Sequence, residues 1–178
     1  NDSGKKALAE RVRQALMNSS RTNLKKSAFI PLILAAAGIL FSVIEIAAYF
    51  SHNANSSYAD ILYLYIGSLI VQCFISLIFP IAVFVLPKTN IMKTSRVMMY
   101  IGFALLGVQV LAAIFSYVPT FGMSYLLLLP IPGKYLLFAI FGMLEYGFNS
   151  SWLLQLMISL CCFGKTVAGI IICKKAQV

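Results

Sequence analysis

Charge is scarce in this chain. Of 178 residues 11% are charged, only five of them Asp or Glu, and there is one histidine. So little charge beside 61% hydrophobic residues excludes an ordinary water-soluble domain. The lone His52 stands in a polar turn, which excludes bis-histidine haem ligation and histidine-based metal clusters within one chain. The four cysteines, Cys73, Cys161, Cys162 and Cys173, all fall inside hydrophobic stretches or at their ends. None is placed to staple an extracellular domain, and the adjacent Cys161-Cys162 pair lacks C-x-x-C spacing. Gly164-Lys165-Thr166 superficially matches the end of a phosphate loop. The glycine that motif needs five residues upstream is Ser159, and no strand–loop–helix context surrounds it. Asp60 and Glu145 stand without acidic or basic partners, so no catalytic, cofactor-binding or metal-binding residue is expected.

What is present is a series of long apolar blocks with short polar breaks. The organising stretch is 28–50, AFIPLILAAAGILFSVIEIAAYF. As a helix it rises about 1.5 Å per residue and matches a hydrocarbon core of roughly 30 Å. Pro31, Ala35, Gly38, Ser42, Glu45 and Tyr49 recur at i+3 and i+4 and share one face, while Leu32, Ile39, Val43, Ile46 and Phe50 cover the other. One side suits lipid and the small, polar side suits another helix. Three further spans repeat the plan at 61–86, 97–118 and 152–173. Their stripes are Tyr65, Ser68, Gln72 and Ser76; Gly102, Gln109, Ala113 and Ser116; and Gln155, Ser159, Cys162, Thr166, Gly169 and Cys173.

Two regions lie outside the spans. Residues 1–27 form a basic amphipathic segment at the inner surface, with Leu8, Val12, Ala15 and Leu16 on one side and a helix ending near Asn18-Ser19-Ser20. Residues 121–149 hold two apolar runs split by PIPGK. The second run is too short to cross a membrane, so a re-entrant or interfacial hairpin is expected before the last helix. The net charge of +9 gathers in residues 1–27, in the 87–96 loop (Lys88, Lys93, Arg96) and at Lys174 and Lys175. Four crossings put all these clusters on one side, as the positive-inside rule requires, and point to anionic headgroups rather than nucleic acid as the partner. The expected architecture is an all-α integral membrane protein. It has a surface segment, 1–27, and a single four-transmembrane-helix domain, 28–178. Plasma, endomembrane and organellar inner membranes all fit that pattern.

Glu45, Glu145 and Lys165 are ionisable residues in apolar stretches, each costing about 2.5–3.5 kcal/mol at membrane depth unless paired, wetted or neutralised. Gln72, Gln109 and Gln155 are candidate polar sites in the stripes. Cys173, beside Lys174, is a candidate for acylation. Asn55 and Asn149 each begin an Asn-Ser-Ser acceptor for glycosylation. The leading expectation is a structural or accessory subunit whose stripes bind other transmembrane subunits or further copies of itself. The alternative is an oligomeric channel or carrier for an ion or small solute, using Glu45, Glu145 or Lys165.

Overall fold

The computed structural model describes residues 2–53, 59–85, 91–117 and 129–177. Among them all regular structure is helical: α1 (Asp2–Ser27), α2 (Phe29–Asn53), α3 (Ala59–Val85), α4 (Ile91–Tyr117), α5 (Leu136–Tyr146) and α6 (Ser150–Lys175). Four apolar stretches, Thr22–Ser51, Tyr63–Val85, Thr94–Ser116 and Ser150–Lys175, are long enough to cross a membrane. These are the helices of an integral membrane protein. Asn55 and the first part of the 121–149 hairpin lie outside the described residues.

Helix α6 is the centre of the bundle. Of its apolar stretch 56% is buried, against 28%, 39% and 22% for the other three. Its neighbours reach it through small residues. A Cβ on Gly38 of α2 would sit 3.3 Å from Cys161 Cβ, and one on Gly164 would sit 3.4 Å from Leu34. With Glu45 bonded to Gln155, these pairs define an antiparallel α2–α6 seam. Helix α3 runs parallel to α6, because Tyr65 meets Gln155 and Phe79 meets Gly169, a constant offset along both chains. Where lipid offers no hydrophobic drive between spans, this close approach of small residues supplies the packing attraction.

At one end of the bundle Phe79, Val83, Ile172 and Cys173 form an apolar cluster, covered by Leu24, Met98, Met99, Leu105 and Ala176. Phe79 fills a socket made by two helices: a Cβ on Gly102 would meet its ring at 2.9 Å, and one on Gly169 would overlap it. Gln177 Nε2 donates to Met99 Sδ at 3.6 Å, tying the C-terminal turn to α4. Lys25, Lys26, Arg96, Lys174 and Lys175 all follow or precede these residues closely in sequence, so the basic clusters share this end.

Two sequence expectations are corrected. The first helix does not end near Asn18-Ser19-Ser20 but continues to Ser27. Thr22 Oγ1 donates back to Asn18 O at 2.9 Å, and Ala28 N reaches Leu24 O at 2.9 Å, so polar side chains here fold onto the helix instead of ending it. Lys93 and Arg96 lie within α4, which begins at Ile91, rather than in a connecting loop. The apolar run near 134–148 forms only 11 residues of helix, about 16 Å at 1.5 Å per residue. Gly147, at φ 81°, ends it in a conformation that disfavours side chains.

Candidate functional site

The stripes seen in the sequence face inward. Ser42, Glu45, Ser68, Gln72, Ser76, Gln109, Ser116, Gln155, Ser159, Lys165 and Thr166 are buried, while large apolar side chains such as Ile33, Leu40, Phe74, Ile78 and Leu111 are exposed. The described surface of the spans is therefore lipid-like, and their polar side chains turn into the bundle.

Two polar sites result, both on the seam of α2, α3 and α6. The first surrounds Glu45, which is 2% exposed. Tyr65 Oη donates to Glu45 Oε1 at 2.9 Å, and Gln155 Nε2 donates to the same oxygen and lies 2.9 Å from Tyr65 Oη. The other carboxylate oxygen, Oε2, has no hydrogen-bond partner among the described residues. Aromatic rings enclose the cluster: Tyr49 meets Tyr65 edge-on with centroids 5.2 Å apart, and Tyr65 meets Tyr135 at 6.4 Å. Tyr135 Oη is also buried, with no partner among the described residues. Beyond it, Phe138 stands edge-on to Trp152 at 5.0 Å.

The second site lies about three turns further along α6. Lys165, 3% exposed, lines a small void with Ser42, Gln72, Cys73, Ser76 and Cys162. The titratable groups that reach Lys165 electrostatically are the thiols of Cys162, Cys73 and Cys161, and no carboxylate is among them. Ser42 Oγ donates to Gly38 O at 2.9 Å and Ser76 Oγ to Cys73 O at 2.8 Å, so both hydroxyl protons are spent on their own helices. Gln72 Oε1 is buried with no partner among the described residues. Glu45 and Lys165 thus occupy separate sites and do not form an ion pair with each other.

The other candidates are scattered. Gln109 is buried on α4, outside the lining of the Lys165 void, and its Oε1 finds no partner among the described residues. Glu145 is exposed near the end of α5. Cys173 is fully buried beside Phe79 and Val83. Asn149 is exposed and serves as the N-cap of α6, its Oδ1 accepting from Ser151 N at 3.3 Å.

Sequence reading missed Lys134 and Tyr135. Lys134 is 1% exposed, donates from Nζ to Leu129 O at 2.5 Å, and holds that Nζ 4.9 Å from the Tyr135 ring centroid. Ser116 Oγ lies 2.5 Å from Lys134 O, tying this turn to α4. Gly133, at φ 87°, lets the turn approach α6; a Cβ there would meet Phe163 at 3.0 Å. The signal was the PIPGK break itself, read as punctuation rather than as a source of buried groups. No family model matches this chain, and no curated protein or solved structure matches it either.

Proposed function

We propose that this protein carries or conducts a proton or small monovalent cation across its membrane, with Glu45 as the receiving carboxylate. The observation that carries the reading is the Glu45 oxygen left without a partner inside the bundle. A carboxylate at membrane depth is costly unless neutralised, and a proton or cation at Oε2 would neutralise it. Tyr49 and Tyr135 pack edge-on against Tyr65, whose hydroxyl donates to the carboxylate, so aromatic rings wall the site.

The turn at 129–135 gives this reading a second support. Gly133 lies against Cys162 and Phe163, near the middle of α6, while α5 leads from there to Tyr146, next to the start of α6. We read that course as a re-entrant element; broken backbone at membrane depth is tolerated where protein shields it or where it lines a wet path. The test is flux into liposomes holding the purified chain, read by an internal pH dye and by a potential-sensitive dye. Wild-type flux with loss in Glu45→Gln, at unchanged fold and incorporation, is expected. Flux that Glu45→Gln leaves untouched would remove the carboxylate from the mechanism.

A second reading, an accessory subunit, draws on different residues. Leu8 and Val12 of α1 are 65% and 52% exposed among basic neighbours, a surface suited to anionic headgroups at the basic end or to another subunit. Leu144, Tyr146 and Phe148 are exposed near the opposite end. Gentle detergent extraction followed by native mass separates the readings, because other proteins co-migrating in fixed ratio favour the subunit.

A further inference from the structure

We infer that the Glu45 site takes a proton and no metal cation: the proton adds to Glu45 Oε2, and the Tyr135 hydroxyl oxygen accepts the hydrogen bond of the acid so formed. For its consequence, movement of that proton across the membrane, the inference rests on the transport reading above, which it narrows to one cargo. Its starting point is the inventory of oxygens. Glu45 Oε1 is occupied twice, by Tyr65 Oη at 2.9 Å and by Gln155 Nε2, and Tyr65 Oη lies 2.9 Å from the same Nε2. Both groups direct hydrogens, not lone pairs, at the carboxylate. The buried oxygens of this cluster that find no partner among the described residues are two, Glu45 Oε2 and Tyr135 Oη.

An alkali cation leaves water only where a ring of oxygens replaces its hydration shell. Two oxygens do not make such a ring, and the walls beside them are the rings of Tyr49, Tyr65 and Tyr135. A proton asks for less. One lone pair on Oε2 binds it, and the carboxylate becomes a neutral acid, which removes the cost of a charge at membrane depth. Oε1, then the carbonyl oxygen of the acid, keeps both of its donors. The new O–H is itself a donor and needs one acceptor. Tyr135 is buried within electrostatic reach of Glu45, and its oxygen is the other atom left over. A single proton therefore satisfies both orphaned groups. The titratable groups that face the carboxylate are Tyr49 on its own helix, Tyr65 of α3 and Tyr135 of the turn before α5, with the uncharged Gln155 from α6. Lys134, next to Tyr135 in sequence, directs its Nζ to Leu129 O.

The experiment is infrared difference spectroscopy of the purified full chain in liposomes, titrated with acid in N-methylglucamine buffer and again in sodium or potassium buffer. Uptake of radioactive sodium and rubidium is read on the same liposomes. The expected result is a carboxylic acid C=O band that grows with acid, at a midpoint that sodium and potassium leave unchanged, and cation uptake no greater than in protein-free liposomes. Glu45→Gln removes the band, and Glu145→Gln, on the exposed end of α5, keeps it. Because Glu45→Gln can also fail to fold, Tyr135→Phe is the second arm: it keeps the ring, takes away the acceptor and shifts the band. A saturable displacement of the midpoint by sodium or potassium, or cation uptake that Glu45→Gln abolishes, overturns the inference and leaves the transport reading standing. A wild type with no titrating Glu45 band overturns the inference too, as does a band that Tyr135→Phe leaves in place. The expected band without proton flux into the same liposomes supports the proton site and overturns the transport reading instead.

Discussion

Along the first half of α6, Gln155 reaches α2 and α3 by donating to Glu45 and meeting Tyr65. Along the second half, Gly169 and Ile170 reach α3 and α4 by closing around Phe79 and Gly102. One contact is directional and chemical; the other is a matter of volume. A hydrogen-bonded contact tolerates changes in size provided donors and acceptors still match, whereas a socket is governed by volume and tolerates little change in it. The same helix is therefore fixed in register twice, by unrelated criteria, and each half can be perturbed without directly touching the other.

The largest expected effect is in the socket. Phe79→Ala empties the space between Gly102 and Gly169 and should lower stability by about 3–5 kcal/mol, as for other buried aromatic truncations. Gly169→Ala presses a methyl into the same ring and should cost about 1–3 kcal/mol. The two faults are complementary, so Gly169→Ala should be less harmful in a Phe79→Leu background than alone. Reversible unfolding in mixed micelles measures all three. Strict additivity would show that Phe79 and Gly169 do not share a socket.

The polar half should respond more modestly. Gln155→Leu keeps the volume but removes a donor from Glu45, and about 1–3 kcal/mol of stability should be lost. Here the comparison sharpens, because Gln155→Leu in a Glu45→Leu background should restore most of that loss. Replacing both members removes the carboxylate and its lost donor together and leaves only the Tyr65 hydroxyl without a partner. No such rescue by matched polarity is expected at Phe79. If Gln155→Leu were silent, Tyr65 alone would satisfy the carboxylate.

These two halves were unequally visible in the sequence. Ser42, Glu45, Gln72 and Gln155 stood out because polar residues at helical spacing in an apolar run have one evident place, the inside of a bundle. Which of them would meet could not be read, since pairing Glu45 with Gln155 depends on how two helices 110 residues apart are shifted along each other. Phe79 was invisible for the opposite reason. An apolar ring in an apolar span looks the same whether it faces lipid or a glycine socket, and only the neighbouring helix decides. Lys134 was hidden by its company. In PIPGK there is no periodicity to assign a face, and its burial comes entirely from the turn packing between α4 and α6.

The smallest expected effect lies where the polar half begins. Asn149 adopts extended φ −125°, ψ 144° and caps α6 through Oδ1 to Ser151 N. Asn149→Ala should cost about 1 kcal/mol, the usual value for a lost N-cap, and Asn149→Asp should cost nothing or stabilise slightly, because its charge faces the positive end of the helix dipole. Both substitutions also destroy the glycosylation acceptor, so they separate its two possible uses. A capping role makes Asn149→Asp equal to the wild type in stability and in cellular abundance. A glycan role makes it as defective as Asn149→Ala and removes a mass shift on the gel. Unfolding of the α6 N-terminus in this way should leave the Phe79 socket undisturbed, since the two contacts lie at opposite ends of the same helix. Amide exchange that rises near Ser151 but not near Gly169 is the measurement that checks it.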